Sequence, residues 1–405
     1  MLDNETIEFI KQHRGEDVRT LALQAGRYPT VDMREAMVQI EGWQQAGEKL
    51  PAWAAVEGII YPPKISMEQC SSERTAKYKA GLIEGERFAD LTGGFGIDFS
   101  YMARNFDEAF YIERNKNLCD IAAANFSLLG LNNAKVMNGN SEELLGSLPR
   151  LDWIFVDPAR RDGDGRKVVA LSDCEPNVVG LDLLSKADKV MIKCSPMLDI
   201  TMACRQLGCV SDVHIVSVNN ECKELLLVLS GRCFTTYTTH CVNILKDGGR
   251  QEFSFTQDEE NFSDISYCNE VSKYLYEPNA SIQKAGCPKR VSSKYHVEKL
   301  HPNSHLYTSK QFVHNFPGRI FEVVEVLGFS KTDIKRVQAL AKANITVRNF
   351  PESVQLLRKR LKLADGGDNY IFATTLNNGN KALILCKKTD EHLFTWLTNR
   401  DNEIF

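Results

Sequence analysis

From Arg87 to about Leu229, short apolar runs alternate with stretches of helical periodicity. The strand-like runs fall at 87–91, 109–113, 134–138, 152–157, 188–194, 213–218 and 224–229. Such alternation predicts an α/β domain built on a doubly wound sheet. The last two runs are separated only by Asn219-Asn-Glu-Cys-Lys223, so they form a hairpin and the final strand runs antiparallel. Ahead of this region, apolar positions recur at helical spacing over Asn4–His13, Asp17–Gln24, Asp32–Gly47 and Ala52–Glu57, with Pro29 and Pro51 as punctuation. Tyr61-Pro-Pro63 is a stiff linker, and Met67–Glu84 reads as one further helix.

After Gly231 the pattern changes. Residues 233–277 carry Thr-rich and aromatic strand-like stretches around a Gly248-Gly249 turn, and 278–323 form a basic segment of mixed character. The end of the chain reads as a small α/β module. It has a helix over 331–343, a strand at Thr346–Phe350, a helix over 352–363 opened by Pro351, and strands Tyr370–Thr375 and Ala382–Lys387. This layout predicts four domains: a helical one over 1–63, an α/β one over 64–245, a basic module over 246–323 and a terminal module over 324–405.

Composition narrows the class without naming a function. The chain has 405 residues, 43% hydrophobic and 25% charged, as in ordinary globular domains. No run is apolar enough to span a membrane and the first residues lack a secretory pattern, so a cytoplasmic location is expected. The twelve cysteines show no paired spacing of the zinc-binding kind, so no metal is expected. Charge is uneven: residues 281–365 hold sixteen Lys and Arg against six Asp and Glu, while the whole chain carries −4. A basic module beside an acidic body is the footprint of a nucleic-acid binder. Tyr295, Tyr307, Phe312 and Phe316 interleave these charges and are candidates for base stacking.

The densest chemical signal is Phe88-Ala-Asp-Leu-Thr-Gly-Gly-Phe-Gly-Ile-Asp98. A strand runs into Gly93, Gly94 and Gly96, and a helix follows, an arrangement that aims backbone N–H groups at a ligand. Asp90 sits at the strand tip, and Glu113 ends the next strand 23 positions later, placed to accept hydrogen bonds from both hydroxyls of a ribose. Phe99 stands where a dinucleotide fingerprint needs its third glycine. Asn140-Ser141 follow the third strand, at the place of an adenine ring. Two further strands end in polar groups and proline at the same edge, in Asp157-Pro158-Ala159-Arg160-Arg161 and Lys193-Cys194-Ser195-Pro196.

With these motifs in order, the chain resembles the class I S-adenosylmethionine-dependent methyltransferases. Asp90 to Gly96 resemble their glycine motif, Glu113 their ribose-binding acid and Asp157-Pro158 their fourth motif. The resemblance implies a seven-stranded Rossmann-like methyltransferase sheet, with S-adenosylmethionine held by Asp90, Gly93, Gly94, Gly96, Glu113, Asn140, Ser141 and Asp157. The whole chain is similar to RNA methyltransferases with ferredoxin-like and THUMP-like C-terminal modules, which implies structured rRNA or tRNA as the partner.

Three acceptor chemistries stay open. In amino-group methyltransferases an Asp/Asn-Pro-Pro-aromatic motif holds the base; here Ala159 and Arg160 replace its last two residues, while Ser71 to Lys79 are similar to the helix preceding the glycine turn in guanine-N2 enzymes. Resemblance to 5-methyluridine synthases makes Cys194 a nucleophile, with Lys193 lowering its pKa and Glu221 acting as a base. Resemblance to ribose 2′-O-methyltransferases places Lys79, Asp157, Lys193 and Glu224 in a tetrad that deprotonates a hydroxyl. The charged loop Arg161-Asp-Gly-Asp-Gly-Arg166 either closes over a nucleotide or is a surface loop. Two other readings remain: an RNA-binding or regulatory protein with a decayed core, and a small-molecule methyltransferase.

Overall fold

A computed structural model describes residues 3–160, 171–232 and 236–389; the loop at 161–166 lies outside them. The chain forms two compact units. One holds the described residues up to 213 together with 223–232, and the other holds 214–222 and 236–389.

One sheet holds strands β1 (Arg87–Asp90), β2 (Glu108–Glu113), β3 (Ala134–Asn138), β4 (Leu151–Val156), β5 (Ala187–Cys194), β6 (Val210–Val218) and β7 (Glu221–Ser230), with residues 214–222 counted in the second unit. They lie in the order β3-β2-β1-β4-β5-β7-β6 within a nine-stranded sheet, two strands more than the seven expected. The first five are parallel neighbours, and β7 runs antiparallel to β5, with Cys194 opposite Leu225. Asn219 and Asn220 both adopt the left-handed conformation that a two-residue hairpin turn requires, so the short β6–β7 connection reverses the chain. Central strands β1, β4 and β5 are apolar on both faces, as a sheet covered by helices on both sides demands.

The helices before β1 are α1 (Asn4–His13), α2 (Val18–Leu23), α3 (Met33–Lys49), α4 (Pro51–Ala54), α5 (Lys64–Gln69) and α6 (Glu73–Ala80). Asp3, Asp17 and Asp32 cap the first three through their side chains. The helix expected over Met67–Glu84 is divided. Cys70 is extended, and the Ser72 hydroxyl accepts the Thr75 N–H at 3.3 Å, starting α6 afresh. These helices pack on the sheet domain through one apolar cluster in which Trp53 meets the ring of Phe95 edge-on at 5.0 Å. Gln39 exchanges hydrogen bonds with the Tyr61 backbone, and Asn125 with that of Ile60, fixing the linker.

In the second unit, β8 (Thr238–Ile244) and β9 (Arg250–Thr256) form an antiparallel hairpin around Gly248. A seven-stranded sheet follows, made of β10 (Tyr274–Pro278), β11 (Glu298–Lys299), β12 (Tyr307–Ser309), β13 (Gly318–Leu327), β14 (Asn344–Arg348), β15 (Asn369–Thr375) and β16 (Lys381–Lys388). Their order is β11-β12-β10-β13-β16-β15-β14, with β14 and β15 parallel. Tyr307 and Phe316 are buried, and Tyr295 packs on Phe253 and Phe316, so these rings serve the core rather than a stacking surface. Lys299 is also buried, with Nζ donating to the Pro302 carbonyl at 2.7 Å. Among the described residues no helix is long and apolar enough to cross a membrane.

Candidate active site

The carboxyl ends of β1, β2, β4 and β5 open onto a cavity of about 690 Å³, the edge at which ligands of α/β sheets bind. The glycine turn forms one wall because bulkier residues cannot fit there. A Cβ on Gly93 would lie 2.2 Å from the Tyr111 ring, and Gly96 has φ +85° with the Phe126 ring 2.8 Å from where a Cβ would be. Tyr111 also donates its hydroxyl proton to the Gly94 carbonyl at 2.5 Å. The turn is thus moulded on β2 and α8 (Lys116–Leu128), and from Gly96 it opens directly into α7 (Ile97–Met102).

Glu113 stands at the end of β2. One carboxylate oxygen accepts the Gly94 N–H at 2.9 Å and the other the Asn115 N–H at 2.8 Å. Each oxygen keeps further lone-pair capacity toward the cavity it lines. Asp90 is buried, and its carboxyl accepts both the N–H (2.9 Å) and the hydroxyl (3.3 Å) of Thr92. Thr92 Oγ1 in turn accepts the Asp157 N–H at 2.7 Å, tying the β1 and β4 ends together. Burial pushes the Asp90 carboxyl up to about 8 against the pull of the Thr92 hydrogen bonds, and the nearby Asp98 and Asp157 add to the rise. Asn140 caps the short helix Ser141–Leu144 by accepting the Glu142 N–H at 2.9 Å, and both Asn140 and Ser141 line the cavity.

A charged cluster lies at the ends of β4 and β5. Lys193 Nζ donates to Asp157 Oδ2 at 2.5 Å, and Lys79 Nζ lies 2.6 and 2.8 Å from the two oxygens of Glu224. Asp98, on the first turn of α7, lies between the lysines, 3.2 Å from Lys79 and 3.7 Å from Lys193. Ser71, released by the break between α5 and α6, donates its hydroxyl to Asp98 Oδ2 at 2.7 Å. Burial pushes the Lys193 ammonium down, but Asp157, Asp98 and Glu224 more than reverse this and hold it above the ordinary lysine value. Burial likewise pushes Asp98 up, and Lys79 and Lys193 outweigh it, keeping its carboxyl below the usual range.

The structure therefore gathers Asp90, Gly93, Gly94, Gly96, Glu113, Asn140, Ser141, Asp157, Lys193 and Cys194 around one cavity. Cys194 is buried, and burial raises its thiol well above the ordinary value. Glu221 is exposed at the start of β7 and is not among the lining residues, whereas Glu224, three residues on, is. Asp98 and Ser71 join the site without having been singled out as chemical residues in the sequence. The first looked like an ordinary first-turn helix acid, and the second lay inside a stretch read as continuous helix.

Strand order, antiparallel last strand and glycine turn together define a class I methyltransferase fold. Comparison with known proteins narrows this. Residues 274–317 match the model of a ferredoxin-like domain and residues 318–388 that of a THUMP-like domain. A crystal structure named "putative methyltransferase from Porphyromonas gingivalis W83" is 34% identical, covers 96% of this chain and 100% of its own, and superposes with a TM-score of 0.86. An "Uncharacterized S-adenosylmethionine-dependent methyltransferase" of Mycobacterium tuberculosis H37Rv is 22% identical over 318 residues, 78% of this chain and 84% of that protein. The chain belongs to the family of S-adenosylmethionine-dependent methyltransferases with C-terminal ferredoxin-like and THUMP-like domains.

The residues fit that cofactor. Glu113 offers oxygens for a ribose diol, the turn at Gly93–Gly96 leaves room for close backbone approach, and Asp90 supplies a carboxyl whose raised pKa a nearby cation would bring down.

Proposed function

We propose that the protein is an S-adenosylmethionine-dependent methyltransferase acting on RNA, and that the atom methylated is a hydroxyl oxygen, the ribose 2′-OH. The observation that carries this reading is the Lys193–Asp157 pair on the cavity wall, backed by Lys79 and Glu224. When bound, S-adenosylmethionine supplies an electrophilic methyl group. The chain's own residues must then orient the acceptor and handle its proton.

A cationic Lys193 favours negative charge on an attacking oxygen. It disfavours an exocyclic amine, which becomes positive as it attacks. Asp157, 2.5 Å away, is placed to take up the proton displaced from the hydroxyl, while Lys193 stays charged. The alternatives have less support. Cys194 is buried as a thiol rather than poised as a thiolate, which disfavours attack on a pyrimidine ring. Ala159 and Arg160 stand where an amino-group enzyme presents a proline and a stacking aromatic. The intact lysine–carboxylate pairs support an active rather than a decayed core.

RNA as the acceptor is supported by the THUMP-like and ferredoxin-like matches and by the excess of Lys and Arg over 281–365. The test uses the full chain, S-adenosylmethionine labelled in the methyl group, and RNA from cells lacking the gene. Because a 2′-O-methyl group blocks alkaline cleavage at its nucleotide, label is expected in alkali-resistant dinucleotides and is expected to vanish with K193A. Label confined to mononucleotides would refute the hydroxyl assignment, and no RNA labelling would refute the RNA reading.

A further inference from the structure

The two lysines of the cluster are not equivalent. Lys79 is fully buried and does not line the cavity, while Lys193 does. An ammonium has three protons to donate. Lys79 already meets both oxygens of Glu224, Ser71 Oγ at 3.3 Å and Asp98 Oδ1 at 3.2 Å, so nothing of it is left for a substrate. Lys193 has one short partner, Asp157, and a second carboxylate, Asp98, at 3.7 Å. Asp98 is the group common to both. Its Oδ2 is held by Ser71, and its Oδ1 faces Lys79 in an ion-pair contact without hydrogen-bond geometry.

We propose that Asp98 is a positioning residue, a buried carboxylate shared by both lysines that locks Lys79 against Glu224 and leaves Lys193 as the one lysine that meets the acceptor. The sequence supports that division of labour. Asp98 follows Gly96 by two residues, so the turn that cradles the cofactor also fixes the carboxylate that steers Lys193. Lys193 is faced by Asp157 from the end of β4, Asp98 from α7, Glu224 from β7 and Cys70 from the break after α5, while Lys79 of α6 pairs with the same Asp98 and Glu224. Asp98→Asn removes one of three carboxylates while keeping the shape of the side chain. Lys193 then loses its proton more readily.

Assigning Lys193 to the acceptor rests on the hydroxyl reading above, but the electrostatic link from Asp98 to Lys193 can be measured without any RNA. The full-length protein is labelled at pH 8 to 9 with a trace acylating reagent, and each lysine is quantified by peptide mass spectrometry. Exposed Lys359 and Lys362 serve as internal references. D98N is expected to raise Lys193 labelling by roughly tenfold, the equivalent of about one pKa unit, with D98E returning it toward wild type and the references unmoved. Should D98N fail to fold, S71A keeps every charge while freeing Asp98 Oδ2, the oxygen 3.7 Å from Lys193, to pair with it, and a fall in Lys193 labelling is expected. Unchanged Lys193 labelling in whichever of these variants folds would overturn the proposal. A labelling shift in a protein that methylates no RNA would leave Asp98 in its role and sink the RNA reading instead.

Discussion

Asp90 shows how this site trades stability for function. Its carboxyl is raised to about 8 by burial, whereas an unfolded chain ionises it at the ordinary aspartate value of 3.8. The folded state therefore binds a proton that the unfolded state gives up between those values. The contribution to stability is fully present below the unfolded pKa and is lost as pH rises toward 8. Asp90→Asn cannot titrate. The melting temperature of wild type is expected to fall relative to D90N as pH rises from 4 to 8, by the equivalent of a few kcal/mol, while D90N binds S-adenosylmethionine more weakly. Parallel melting curves across that range would contradict the burial argument. Lys79 poses the opposite case. Replacing it with Met leaves Glu224 and Asp98 buried without the nearer of their two cations, and a loss of about 3–5 kcal/mol in denaturant unfolding is expected. A loss below about 1 kcal/mol would mean that the cluster is more solvated than its geometry implies.

At the scale of elements, much of the site was legible because it lies where strands end. Asp90, Glu113, Asp157 and Lys193 each close an apolar run, and an apolar run of that length has few readings besides a buried parallel strand. The antiparallel last strand followed from a connection too short for a crossover. What was not legible came from tertiary choices. The break at Cys70-Ser71-Ser72 interrupts a segment of continuous helical periodicity, and a serine cap competes with helix propagation only weakly in a sequence. Burial of Tyr307, Phe316 and Lys299 likewise cannot be read from a segment whose aromatics and charges alternate as they would on a binding face. The glycine turn gives a prediction of its own. Gly93→Ala forces the Tyr111 ring aside, and a loss of about 1–3 kcal/mol is expected together with weakened cofactor binding. Normal stability and affinity in G93A would show that the turn yields more easily than its packing suggests.

For the whole molecule, the question is what the second unit adds to a methyltransferase core. Its basic residues are partly answered locally. Arg290 pairs with Glu259, Arg358 with Asp365 and Arg360 with Glu352, while Arg319 and Arg348 share the buried Glu277. The expected RNA affinity therefore rests less on the total charge over 281–365 than on exposed lysines such as Lys359 and Lys362. Reversing both charges is expected to weaken RNA binding in filter or anisotropy assays and to lower the salt dependence by about two ion equivalents, with S-adenosylmethionine affinity unchanged. An unaltered salt slope would place the RNA surface elsewhere. Mass spectrometry of RNA nucleosides from cells with and without the gene reads directly whether the protein methylates a hydroxyl of RNA. One 2′-O-methylated nucleoside is expected to be lost or reduced without the gene and restored by wild type but not by a K193A copy. An unchanged set of nucleosides, or loss of a base-methylated one, would contradict it.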